Sequence, residues 1–267
     1  MTEQNPLQPS TPGSRLWPAA TAVLAVLGAG ALAAGVWGPV VAGDAQPAAT
    51  VAASAAPTPT ARASAAPTTI ASALPAGERG IAELVDSAWV DRVSASTGIP
   101  SRALAAYAGA SLAVSRTNPS CGLGWNTLAA IGLVETAHGG MNGSSLHADG
   151  TVSPAIIGIP LDGNGTEVVR DTDGGAVDGD PVWDRAVGPM QFIPSTWAQA
   201  GRDGNRDGVI DINQIDDAVL ATAEHLCEVG GDLTRAENWI AAVHAYNPSV
   251  EYNNKVAAAA TQFATAR

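Results

Sequence analysis

Residues 128–140 read LAAIGLVETAHGG, an apolar run with a single carboxyl group, Glu135, inside it. A charge moved alone into a dry interior costs several kcal/mol, so such a group either finds a partner or keeps its proton. A glutamate with these neighbours is expected to have a raised pKa, and a carboxyl still protonated near neutral pH can act as a general acid. The same residues also allow a glutamate satisfied by arginine or backbone donors.

Other stretches carry polar groups at spacings that suit chemistry. DRAVGPMQFIPSTW, residues 184–197, is a Gly-Pro turn followed by Gln191 and a capped helix start. AVHAYNPS, residues 242–249, ends a helix on Tyr246, Asn247 and Pro248. DTDGGAVDGDPVWD, residues 171–184, offers Asp180 or Asp184 as a second carboxylate for ordinary hydrolysis. DGNRDGVIDINQIDDA, residues 203–218, places oxygens at alternate positions: Asp203, Asn205 and Asp207, then Gly208 for a sharp turn and the Val209 carbonyl. That is the opening of a calcium loop, where a hard cation takes six to eight oxygens, with Asp211 placed to act through water. Its twelfth position is Gln214 rather than the bidentate glutamate of a standard EF-hand. The alternative reading is an Asp/Gly turn leading into a helix capped by Asp216. His138, just past the glutamate, reads as a solvent-facing residue at a helix end.

The elements that must position these groups are mostly helical. Apolar residues at helical spacing, Ile81, Leu84, Val85, Ala88, Trp89 and Val93, predict one helix that stops at Gly98. A second starts near Pro100 and a third, carrying Glu135, near Gly124. Further helices are expected at 195–200, 216–229, 234–246 and 250–266. Within the Gly- and Asp-rich stretch between them, AIIGIPLDGNGTEVV predicts a hairpin turning at Asp162-Gly163-Asn164-Gly165. The expected fold class is mainly α, a helical domain with a small β-hairpin.

Composition divides the 267 residues unevenly. Residues 1–15 form a short tail. Residues 16–43 contain no charged residue, are long enough to span a ~30 Å hydrocarbon layer, and carry Trp17 and Trp37 near their ends. They read as an uncleaved transmembrane anchor, or as a signal segment if cleaved. Residues 44–77 are an Ala/Pro/Thr-rich linker that cannot bury a core, and residues 78–267 form the globular domain. The expected location is outside the cytoplasm, anchored through the amino-terminal segment. A net charge of −12 argues against nucleic acid, which needs Lys and Arg to displace counterions. The two cysteines, Cys121 and Cys227, are buried thiols in a cytosolic chain and a candidate disulfide in an exported one.

In this order, GLVETAHG, AVGPMQFIPSTW and AYNPS resemble the lytic transglycosylases of bacterial cell walls, and in particular the membrane-bound lytic transglycosylase B type in its exported actinobacterial form. The resemblance covers about residues 81–263. It implies a lysozyme-like fold and peptidoglycan glycan strands as the partner. It also implies cleavage of the β-1,4 bond from N-acetylmuramic acid to N-acetylglucosamine, leaving a 1,6-anhydro end. Glu135 would be the single catalytic acid and base. Thr136, Gly188, Gln191, Tyr246 and Asn247 would contact substrate, with Tyr246 closing over the cleft and Gly188 letting backbone approach the sugar. No cofactor would be needed for catalysis. A structural calcium would sit on Asp203, Asn205, Asp207, the Val209 carbonyl and Asp217, and Cys121 would pair with Cys227. The alternatives are a hydrolytic muramidase using a second Asp, and a wall-binding protein without turnover.

Overall fold

The computed structural model describes residues 79–266. The expected anchor, the linker and the last residue lie outside the described residues. No helix among the described residues is long and apolar enough to cross a membrane.

Seven α-helices carry the domain: α1 (Ser87–Thr97), α2 (Ser101–Thr117), α3 (Trp125–Thr136), α4 (Pro194–Ala200), α5 (Ile215–Gly230), α6 (Ala236–Tyr246) and α7 (Val250–Ala264). Four short strands lie between α3 and α4: β1 (Ser145–Leu146), β2 (Val152–Ser153), β3 (Ile157–Pro160) and β4 (Arg185–Val187). They pair antiparallel as β1 with β2 and β3 with β4. This mainly helical domain with two small sheets fits the expected lysozyme-like fold.

The first helix departs from its expected form. Ile81–Leu84 is a 3-10 turn, and α1 starts only after Asp86, whose carboxylate accepts the Trp89 N–H at 2.8 Å. Asp, a strong N-cap, restarts the helix here and shifts its register. Val90 therefore faces the core and Ala88 faces solvent. Gly98 ends α1 in the left-handed region, as its lack of a Cβ permits.

The alanine-rich α2 sits at the centre, packed against α3, α5 and the Ile81–Leu84 turn, while α7 returns along α3. Trp125, Leu128 and Ile131 of α3 are fully enclosed, each contributing about 1.5–3 kcal/mol of burial. Tyr107 of α2 packs onto α3 at Gly132, where an added Cβ would stand 2.0 Å from the Tyr107 hydroxyl. Cys121, before α3, is disulfide-bonded to Cys227 at the end of α5, with a sequence separation of 106. The pairing implied by the resemblance is present, and disulfides typically stabilise a fold by about 2–4 kcal/mol, more for longer loops.

The predicted hairpin at 162–165 is rudimentary. Asp162 and Val168 form an isolated bridge, but β3 takes its regular partner from β4, some 25 residues onward. The β1–β2 hairpin, which the sequence reading missed, is tied to the helices by Arg102. Its guanidinium reaches both oxygens of Asp216 on α5 and the carbonyls of Ala148 and Asp149.

Candidate active site

Glu135 lies in the last turn of α3. The helix ends on two left-handed residues, Ala137 and His138, whose N–H groups return to the carbonyls of Leu133 and Gly132. This sharp stop leaves Glu135 at the wall of a cavity of about 400 Å³, also lined by Ile157 and Gly158 of β3, Gln191, and Tyr252 and Lys255 of α7. Glu135 is 7% exposed and is the only carboxylate among the cavity-lining residues. The Tyr252 hydroxyl donates to its Oε1 at 2.5 Å. Burial raises the Glu135 pKa to about 8, and the Tyr252 hydrogen bond opposes part of that rise. A helix C-terminus, where partial negative charge accumulates, acts in the same direction as burial. Tyr252 is itself held well above the ordinary phenol range, first by burial and then by Glu135, so it remains a donor.

Gln191 reaches the cavity from a tight loop, residues 188–191, closed by Val187 and Phe192 exchanging backbone hydrogen bonds. Its φ of 52° is unusual for a residue with a Cβ, and such strain persists only where the surroundings hold it. Three side chains of the motif stretches do the holding. Thr136 Oγ1 donates to the Pro189 carbonyl at 2.8 Å, the Tyr246 hydroxyl donates to the Met190 carbonyl at 2.6 Å, and Gln191 Nε2 donates to the Gly188 carbonyl at 3.0 Å. With Nε2 turned to the Ile156 and Gly188 carbonyls, Oε1 is the side-chain atom these bonds leave uncommitted. Gly158 has no side chain to cover it, and a Cβ there would come within 3.3 Å of that oxygen.

These contacts place the remaining motif residues. Thr136 is fully buried and fastens the loop. Tyr246 is buried beneath the loop and is not among the cavity-lining residues. Gly188 is required by a close approach to the protein's own backbone, since a Cβ would stand 2.1 Å from the Ile212 carbonyl oxygen. Asn247 is buried and does not line the cavity. Its Oδ1 accepts the Ser249 N–H at 2.9 Å, shaping the turn that launches α7 and hence Tyr252. His138 is not solvent-facing but buried, with Nδ1 3.1 Å from the Tyr107 hydroxyl, and burial lowers its pKa to about 4.

Tyr252 is the site residue that sequence reasoning missed. Its signal lay in the α7 stripe Tyr252, Val256, Ala259, Ala260 and Phe263, which puts a phenol on a buried face where its hydroxyl must find a partner.

The two candidate second carboxylates are engaged elsewhere. Asp184 is fully buried against the Thr172 hydroxyl and N–H, and Asp180 pairs with Arg185 at 2.8 Å. Neither lines the cavity.

In the 203–217 loop, Asp217 is buried and accepts N–H groups from Gly204 at 2.7 Å, Asn205 at 3.3 Å and Asp211 at 2.9 Å. Asp203 Oδ2 accepts the Gly208 N–H, while its buried Oδ1 has no hydrogen-bond partner among the described residues. Asn205 donates to Asp207, and Asp207 accepts the Val209 N–H. Gln214, rather than Asp216, caps α5. Among the described residues, the carboxylates whose oxygens all lie within 4.8 Å of one another are Asp171, Asp173 and Asp184, not those of this loop.

The family model described as Transglycosylase SLT domain matches residues 181–265. That stretch holds the Gln191 loop, the 203–217 loop, Tyr246, Asn247, Tyr252 and Lys255, whereas Glu135 precedes it. No curated protein and no solved structure matches the chain.

Proposed function

We propose that this chain, which its SLT domain marks as a peptidoglycan lytic transglycosylase, cuts the β-1,4 bond from N-acetylmuramic acid to N-acetylglucosamine with Glu135 as sole acid and base. The observation that carries the reading is the isolation of Glu135: one buried carboxyl, pKa about 8, in a cavity with no second carboxylate among its lining residues. Enzymes of this class need no cofactor for catalysis.

Glu135 starts protonated at neutral pH and gives its proton to the glycosidic oxygen as the bond breaks. The cation left at the anomeric carbon is stabilised by the substrate's own N-acetyl group. Glu135, now a carboxylate held by the Tyr252 hydroxyl, removes the proton from the muramic 6-hydroxyl. That oxygen closes on the anomeric carbon, giving a 1,6-anhydro end and returning the proton to Glu135. A hydrolytic route would need a second carboxylate to activate water or form a covalent intermediate, and Asp180 and Asp184 are committed elsewhere. Gln191 Oε1 accepts a hydrogen bond from the sugar beside the cleavage point.

The B-type, actinobacterial assignment rests on the motif order. The disulfide supports a location outside the cytoplasm, where such bonds persist, with residues 16–43 as membrane anchor. The 203–217 loop suits a structural calcium, because the buried and unpartnered Asp203 Oδ1 is an oxygen a cation would satisfy. Asp203, Asn205, Asp207, the Val209 carbonyl and Asp217 would hold it.

Mass spectrometry of fragments released from purified sacculi tests the reaction. Lytic cleavage yields ends one water lighter than those of hydrolysis, and ends of hydrolytic mass would overturn the reading.

A further inference from the structure

Lys255 is the only lysine in the 267 residues, and it lines the cavity that holds Glu135. No arginine or histidine joins it among the lining residues. It stands on α7 one turn beyond Tyr252, the residue that hydrogen-bonds the acid, and residues three apart on a helix share a face. The cavity thus has one cation and one acid among its lining residues, in a chain of net charge −12. In the free enzyme that cation is held by Glu251 at 2.7 Å, with side-chain exposures of 45% for Lys255 and 71% for Glu251. So exposed an ion pair contributes little and exchanges readily.

The sugars of a peptidoglycan strand are neutral. Its negative charge sits on the lactyl arm of the muramyl unit, either as the free lactyl carboxylate or as the carboxylates of a peptide joined to it. We propose that Lys255 is the receptor for a carboxylate on that arm, Glu251 holding its place until substrate arrives. The cation then selects and registers the muramyl unit in the cavity, while Glu135 acts on the adjacent bond. This inference rests on the glycan-cleaving reading above.

The test uses the full chain and three ligands: glycan strands bearing stem peptides, the same strands stripped by an amidase to leave free lactyl carboxylates, and neutral N-acetylglucosamine oligomers as competitors. Lys255→Met should raise KM for carboxylate-bearing strands about 5- to 20-fold with kcat within about two-fold, and added salt should shrink the difference. Lys255→Arg should restore most of the loss, and Glu251→Gln should lower KM. Inhibition by neutral oligomers should be the same for wild type and Lys255→Met. A rise confined to stem-bearing strands assigns the carboxylate to the peptide, and a rise on stripped strands assigns it to the lactyl group. A KM change below two-fold on both, or an equal loss of neutral-oligomer binding, overturns the proposal. Strand binding measured in a Glu135→Gln background reads Lys255 independently of turnover, so failure of the reaction reading and failure of this one are distinguishable.

Discussion

Two buried carboxylates, Glu135 at the end of α3 and Asp217 in the 203–217 loop, meet burial with different partners. Asp217 is wrapped by three backbone N–H groups, and burial still lifts its pKa, to about 6. Glu135 receives one phenolic hydrogen bond and is lifted to about 8. Burial sets the direction in both places, and the hydrogen bonds each carboxyl accepts oppose the rise. Asp217 is spent on shaping a loop, while Glu135, at the wall of a cavity, accepts only the Tyr252 hydroxyl among the described residues.

Substitution of the two acids should separate these roles most sharply. Glu135→Gln should cut glycan release about 10²–10⁴-fold while strand binding persists, as read by product release and sacculus pull-down. Its stability should respond to pH in the opposite sense to that of a salt-bridged acid. The folded carboxyl holds its proton more tightly than an unfolded one, so the stability tied to it is complete below about pH 4.5 and is lost as pH climbs through about 8. Thermal melts should therefore show wild type losing more stability from pH 5 to pH 9 than Glu135→Gln does.

Asp217→Asn should leave the chemistry intact and cost about 1–3 kcal/mol, because an amide nitrogen turned toward a backbone N–H leaves a buried donor unmatched. If the loop binds calcium, the ion should raise the wild-type melting temperature and a chelator should lower it, with both shifts blunted in this variant.

The smallest and most diagnostic change is Tyr252→Phe. Loss of the hydrogen bond that restrains Glu135 should move the falling limb of the pH–rate profile upward from about pH 8, with a rate loss of about 10-fold. An unmoved limb would assign Tyr252 to packing alone.

Much of this arrangement was legible from residue order. Apolar spacing, the stop at Gly98 and the restart at Pro100 placed the helices, and the apolar surroundings of Glu135 marked it as a shifted acid. What escaped had long-range causes. β3 pairs with β4 across a loop whose own turn signal was strong, because pairing is decided by which strand meets the helical core and not by the nearest turn. Tyr246 drew attention as part of a motif, yet its hydroxyl serves a backbone carbonyl. Tyr252, six residues on, reaches the acid because α7 lies along α3, a contact no local pattern encodes.

The hydroxyls of Thr136 and Tyr246 both grip main-chain oxygens of the same four-residue loop, one from the helix that carries the acid and the other from the helix leading into the one that carries its phenol. The separation between proton donor and sugar-binding amide is thereby gauged by backbone, which has far fewer ways to drift than long side chains. Trimming the apolar walls of the cleft should alter which strands enter while leaving that ruler unchanged.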